Sequence, residues 1–286
     1  MAGEFVAHVA QVAHVAAKCT EDNSHIMSAA HCGYPAPGYP GPSFIFTPFF
    51  TIGGDKGFYF TKPMLLALVC AVLVVAFFWA AFAKPKLVPR GAQNLGELGV
   101  FFVRDQILRP MMGRRGDNFL PFLVSLFFFI WLMNLMEIIP IAQFPAMSFI
   151  AFPVVLMLMV YITYTYLGIK NQGLGGYFAN MIPKGVPWYI LILLAPVEIL
   201  QYVLVRPFTL AIRLFANMFA GHILLLVFTL STWYMFSATI GLLYSATSFI
   251  ITVVLTGFEM LIQALQAYIF TILTAQYIGG SLEAGH

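Results

Sequence analysis

Ionisable and amide side chains occur in the second half of the chain, within segments that are otherwise long apolar runs. An ionisable side chain at the centre of a bilayer costs about 2.5–3.5 kcal/mol on insertion scales, so it normally faces a partner or water. Such residues therefore mark a path for ions or protons, or a binding site. The set consists of Glu198, Arg206, Arg213, Asn217, His222, Glu259, Gln263 and Gln266.

Arg213 is the most informative member of this set. It lies in RPFTLAIRLFANMFAGH (206–222), and no acidic residue occurs within fourteen positions on either side. Arg206, Arg213 and Asn217 share one helix face, where small side chains let a second helix approach closely. For Arg206, beside Pro207, a position at the membrane boundary is an equal alternative. Arg213 lies about two turns further along, away from that boundary. Because no acidic partner for it is obvious within this chain, we expect the partner to come from another subunit.

Glu259, Gln263 and Gln266 fall at i, i+4 and i+7 and form a polar stripe on one helix. One alternative is that the glutamines only hydrogen-bond neighbouring helices. If this helix runs antiparallel to the preceding one with His222 level with Glu259, the region of Arg213 lies level with Gln266. The same register aligns both polar couples, which predicts a polar lane in which a carboxylate and an imidazole exchange protons.

Titratable groups beside an unpaired arginine suit protons better than bulky solutes. An arginine stays charged at physiological pH, so it cannot itself relay protons. Its expected role is electrostatic: it draws a carboxylate of another subunit into the ionised form and blocks direct leakage of protons across the membrane.

The composition is that of an integral membrane protein. Of 286 residues, 61% are hydrophobic and 9% are charged, whereas about 25% are charged in a soluble domain. The net charge of +3 is too small to indicate a nucleic-acid partner. Cys19 and Cys32 either pair or stay free thiols, and neither the cysteines nor the histidines of the first 60 residues have the spacing of a metal site.

Five stretches are long and apolar enough to cross a membrane, since about 20 helical residues span the hydrocarbon. They are about 64–83, 119–139, 148–169, 188–233 and 236–280. The last two greatly exceed the required length, so we expect them to be strongly tilted, bent or broken, with Pro196 and Pro207 as bend points in the first of them. Residues 1–60 are predicted to form a partly extended extracytoplasmic segment, and 61–286 the membrane domain.

Basic residues define the orientation. Segment 84–117 holds seven Lys or Arg and segment 170–187 holds two, whereas the turns near 140–147 and 233–237 hold none. By the positive-inside rule the basic segments are cytoplasmic, which places the N-terminus outside and the C-terminus inside. Residues 94–109 are apolar enough to form a helix along the cytoplasmic interface.

Three stretches resemble one known family. LAIRLFANMFAGH (210–222), FEMLIQALQAYIFTIL (258–273) and FIWLMNLMEIIP (129–140) are similar to the a subunit in the membrane sector of rotary F-type ATP synthases. The resemblance covers roughly 60–286. It implies a proton-conducting stator in the bacterial plasma membrane that abuts a rotating ring of c subunits and contacts b subunits and lipids. It further implies two offset aqueous half-channels.

The resemblance also implies roles for individual residues. It assigns the essential arginine to Arg213 and assigns Glu137 to the outer end of the second crossing. His222 and Glu259 are exchanged relative to some family members, which supports direct contact between them. Glu198 is one position out of register with the family's acid. Asn217, Gln263 and Gln266 complete the expected proton path.

We expect no catalytic centre, cofactor or metal in this chain. We also expect no bound nucleotide, because the glycines at 173–176 lack the sequence of a phosphate-binding loop. The alternative function is that of a proton-coupled secondary transporter or a membrane subunit of a respiratory complex. A transporter of that kind typically shows an internal repeat, and none is visible in the sequence. A haem oxidoreductase would need paired membrane histidines, whereas His222 stands alone in the crossings.

Overall fold

The computed structural model describes residues 50–52, 58–86, 88–139, 145–180, 188–234 and 240–282. Strands in this part of the chain are confined to a short antiparallel hairpin, in which β1 (Phe50–Ile52) pairs with β2 (Phe58–Phe60). Helices make up most of the rest. The predicted extended segment before Phe50, with its two cysteines, lies outside the described residues.

Eight α-helices follow the hairpin in the described chain. They are α1 (Lys62–Phe82), α2 (Ala92–Phe102), α3 (Arg109–Met112), α4 (Leu120–Leu135), α5 (Ala151–Asn180), α6 (Trp188–Leu200), α7 (Arg206–Tyr234) and α8 (Ile240–Leu282). Two π-helical turns (Val103–Leu108 and Gln201–Val205) and two 3₁₀ turns (Gly113–Phe119 and Ala146–Ser148) connect some of them.

Five helical segments of the described chain are long and apolar enough to cross a membrane. They are Lys62–Phe82, Ala92–Leu135, Ala151–Gly173, Leu194–Trp233 and Gly241–Leu282. The predicted all-α membrane fold with five crossings is therefore confirmed. The third crossing continues as helix beyond its predicted end at 169, with a kink at Gly173, whose φ of +72° favours glycine.

The helix predicted at 94–109 corresponds to α2 and the π-helical turn that follows it. Glycines let this stretch lie against its neighbours: a Cβ on Gly99 would meet the Phe128 ring of α4 at 2.6 Å. The Phe78 ring of α1 contacts the same Phe128 ring edge-on, with centroids 5.2 Å apart. Helices α1, α2 and α4 therefore form one tightly packed group.

The fourth crossing is irregular where its prolines predict a bend. The π-helical turn Gln201–Val205 lies between Pro196, inside α6, and Pro207, the second residue of α7. A proline removes a backbone donor and its ring clashes with the preceding turn, so neighbouring hydrogen bonds rearrange. By contrast, α8 is a single helix of 43 residues, about 65 Å long at 1.5 Å per residue.

The chain divides into two compact units. In its described part, the smaller unit comprises 224–234 and 240–255, the end of α7 and the start of α8. Two hydroxyl groups join these helices: Ser245 Oγ donates to the Thr232 carbonyl at 2.7 Å, and Ser248 Oγ to the Phe228 carbonyl at 2.9 Å. The larger unit, Pro48–Ile223 with Thr256–His286, contains all eight predicted site residues.

Candidate functional site

Within the larger unit, α7 and α8 run antiparallel with a register that several contacts define. Gln266 Nε2 donates to the Arg213 carbonyl at 3.4 Å. Further along α7, Gly221 lies directly against the Glu259 carboxylate, so that a Cβ on Gly221 would overlap it. These contacts agree, within one or two residues, with the register that the sequence predicts.

A buried cluster of polar side chains lies where α4, α7 and α8 meet. His222 Nδ1 and Glu137 Oε1 are 3.0 Å apart, and Gln263 Nε2 donates to Glu137 Oε2 at 3.0 Å. Glu137 is only 7% exposed, and Gln263 is fully buried. The carboxylate of Glu137, which follows α4, therefore bridges α7 and α8. His222 is thus bonded to Glu137, whereas the sequence predicted a direct contact of His222 with Glu259, which stays a prediction.

Glu259 completes this group from α8. It is 6% exposed and lies close enough to Glu137 and His222 for electrostatic interaction. Its Oε1 atom is buried without a hydrogen-bond partner in the described part of the chain.

Asn134 belongs to the cluster but was not among the predicted site residues. It is buried in α4, and its Nδ2 atom donates to the backbone carbonyl of Gln263 at 3.5 Å. The sequence carried a signal for it, because Asn134 and Glu137 are spaced i, i+3 in the predicted second crossing, which is otherwise largely apolar. In the structure Glu137 follows α4 in a turn, and both side chains hydrogen-bond Gln263 of α8.

Arg213 lies apart from the buried cluster, on the exposed face of α7. None of the salt bridges among the described residues includes it. Ala216 and Ala220, one and two turns further along, are also exposed, and Asn217 is half-buried. The result is a permanent cation in a strip of small side chains, about 13 Å along α7 from His222 at 1.5 Å per residue.

The structure does not bring Glu198 into this arrangement. It is half-buried in α6, and in the described part of the chain no hydrogen bond or ion pair joins it to the cluster. The same part of the chain contains no group of three or more His, Cys, Asp or Glu side chains that could hold a metal ion. Two carboxylates and an imidazole, the titratable groups of the buried cluster, can exchange protons with one another.

Comparison with known proteins gives this arrangement its family. Residues 64–279 match the family model described as ATP synthase A chain. The chain belongs to the ATP synthase subunit a family. The matched residues include every member of the buried cluster and the face of α7 that carries Arg213. The resemblance seen in three short sequence stretches therefore extends to nearly the whole described membrane region.

Curated relatives named ATP synthase subunit a align with this chain over most of their length. The protein of Streptomyces lividans is 47% identical over 268 residues, 93% of each chain. That of Frankia alni is 46% identical over 254 residues, 87% of this chain and 88% of the relative. That of Hyphomonas neptunium is 39% identical over 234 residues, 81% of this chain and 90% of the relative.

Proposed function

We propose that this subunit a family member is the proton-conducting stator of an F-type ATP synthase, and that Arg213 faces a carboxylate on a ring of c subunits. One observation carries the proposal: α7 presents an arginine on an exposed face without an acidic partner among the described residues, and buries a carboxylate–imidazole cluster further along. A cation at this depth needs an anion, and the ring supplies it.

The role of Arg213 is electrostatic. Its guanidinium group stays charged, so a ring carboxylate that arrives beside it is stabilised in the ionised form and releases its proton. The attraction is stronger than in water because the surroundings have a low dielectric constant. The fixed positive charge also repels a proton that would otherwise leak past the ring. Gln266 joins α8 to α7 at the level of Arg213, since its side chain donates to the Arg213 backbone carbonyl.

The buried cluster forms part of one half-channel. Glu137, His222 and Glu259 lie close enough to interact, and Gln263 holds the Glu137 carboxylate in place. Protons from one side of the membrane bind here and pass on to the ring carboxylate. Asn217 lies on α7 between this cluster and Arg213 and lines the route. The second half-channel opens toward the start of α7, on the side of Glu198.

The orientation follows from the basic segments. With the N-terminus outside and the C-terminus in the cytoplasm, Glu137 lies at the outer end of the second crossing. The buried cluster then receives protons from outside during ATP synthesis. In this arrangement 61–286 forms the membrane domain, which also contacts the b subunits and lipids, and the chain itself binds no nucleotide and catalyses no reaction.

A crosslinking experiment tests the contact with the ring. A cysteine at Ala216, on the exposed face beside Arg213, is combined with cysteines along the outer helix of the c subunit, in a background without the native cysteines. We expect a disulfide between the two subunits. Met218, two positions away, is 1% exposed and provides the matched control, for which we expect no disulfide. Equal crosslinking at Ala216 and Met218, or none at Ala216, contradicts the proposal.

A further inference from the structure

A second arginine on α7 has a different environment from Arg213. The guanidinium carbon of Arg206 lies 3.4 Å from the centre of the Tyr202 ring and 5.6 Å from the centre of the Tyr277 ring. Both distances are within the range of about 6 Å for a cation–π interaction. Arg206 is therefore held between an aromatic ring of the π-helical turn and one of α8, and is half-buried.

The backbone at this point explains why the rings converge. The Arg206 N–H donates to the carbonyl of Gln201, five residues back, as in a π-helix. In an α-helix it would donate to the Tyr202 carbonyl, which is four residues back. That released carbonyl accepts a hydrogen bond from the Tyr164 hydroxyl of α5 at 3.5 Å. The irregular turn thus creates an acceptor that the neighbouring helix uses.

Two of the three tyrosine rings also contact each other. The rings of Tyr164 and Tyr277 pack with centroids 5.7 Å apart. Together with Tyr202 and Arg206 they form a group, here named the tyrosine clamp, that joins α5, the π-helical turn, α7 and α8. Tyr277 lies within electrostatic range of both Arg206 and Arg213, so the clamp reaches the region of the proposed ring contact.

We propose that Arg206 is a positioning residue whose cation–π contacts in the tyrosine clamp hold the π-helical turn in place. The turn in turn sets the rotation of α7, so that Arg213 faces the ring of c subunits. The inference rests on the proposed function. Arg213 is seven residues from Arg206 and shares its helix face, so any change in the turn rotates Arg213 directly. The two tyrosine side chains also keep the guanidinium group of Arg206 in place. It therefore does not compete with Arg213 for the carboxylate of the c subunit.

The clamp makes the ring of Tyr277, and not its hydroxyl group, the essential feature. In membranes that contain the whole complex, proton-driven ATP synthesis is measured per assembled complex for Tyr277→Phe and Tyr277→Leu. We expect Tyr277→Phe to stay near wild type. We expect Tyr277→Leu and Arg206→Met to lose about tenfold, because each removes a cation–π contact. Passive proton conductance through membranes stripped of the catalytic sector should fall in parallel.

Equal rates in Tyr277→Phe and Tyr277→Leu overturn the inference. If Tyr277→Leu does not assemble, Tyr164→Phe decides, since it removes only the hydroxyl that binds the Tyr202 carbonyl: reduced turnover supports the clamp and unchanged turnover contradicts it. Arg213→Lys is measured alongside. If it is inactive while the clamp variants are normal, only the clamp is wrong; if it is active, the proposed function itself fails.

Discussion

Gly221→Ala tests whether the position of the Glu259 carboxylate matters for proton flow. A Cβ built on Gly221 lies 2.5 Å from Glu259 Cδ, whereas ordinary contacts begin near 3.4 Å, so the carboxylate must retreat by about 0.9 Å. Proton transfer needs donor and acceptor about 2.6–3.2 Å apart, and the displacement exceeds the width of that range. We therefore expect the rate of proton-driven ATP synthesis to fall about tenfold. This loss is smaller than the roughly 10²–10⁴-fold by which a well-placed proton-transfer group accelerates a reaction.

The same substitution has a small effect on folding. Extra volume in a packed interior costs about 1–3 kcal/mol, while alanine is about 1 kcal/mol better than glycine within a helix. Because the overlapping group is the end of a flexible side chain, the cost lies toward the lower value and the complex still assembles. ATP synthesis in inverted vesicles, normalised to assembled subunit, separates the two effects.

A control and a compensating change make the test specific. Gly280→Ala adds the same methyl group in α8 at a position where no neighbouring atom of the described residues lies within 4 Å, and it should leave the rate unchanged. Glu259→Asp shortens the carboxylate, so the double variant Gly221→Ala with Glu259→Asp should be more active than the product of the two single losses predicts. A wild-type rate in Gly221→Ala refutes the reasoning.

Other measurements test the remaining contacts. Glu137→Gln and His222→Gln should each slow ATP synthesis, and their effects should be clearly non-additive in a double-mutant cycle; additive effects would mean that the 3.0 Å pair does not act as a unit. Gly99→Ala should lower the free energy of unfolding by about 1–3 kcal/mol through overlap with the Phe128 ring. Gly175→Ala should not, because a Cβ there would meet no atom of the described residues within 4 Å; thermal denaturation of the purified complex measures both. A cysteine at Arg114 should react with an impermeant maleimide only after the cells are permeabilised, and reaction in intact cells would reverse the orientation.

The sequence predicted the helices well because lipid solubility requires long apolar runs, and Pro196 and Pro207 indicated the irregular turn between α6 and α7. It left open whether the last crossing is broken. The unbroken α8 is explained by the lack of proline from 240 to 282. The third crossing was predicted to end at about 169, and its helix continues to Asn180, because apolar length marks the limit of the hydrocarbon and not the end of the helix.

The candidate site was predictable where two of its helices are consecutive in the chain. The antiparallel register of α7 and α8 followed from the spacing of polar residues on two consecutive helices. The position of α4 did not, because nothing in an apolar helix specifies which later helix it contacts. Glu137 was therefore assigned only by resemblance, and Asn134 was missed. The tyrosine clamp depends on a carbonyl released by the π-helical turn, a feature with no direct sequence signal.

The most direct test of the central claim is proton-driven ATP synthesis by complexes that carry Arg213→Lys. The substitution keeps a positive charge but replaces the planar, always protonated guanidinium by a compact ammonium that loses its proton when desolvated. Amounts of assembled complex are compared by immunoblot, and ATP hydrolysis by the detached catalytic sector serves as the control. The account predicts normal assembly and no measurable synthesis; synthesis near the wild-type rate would contradict it.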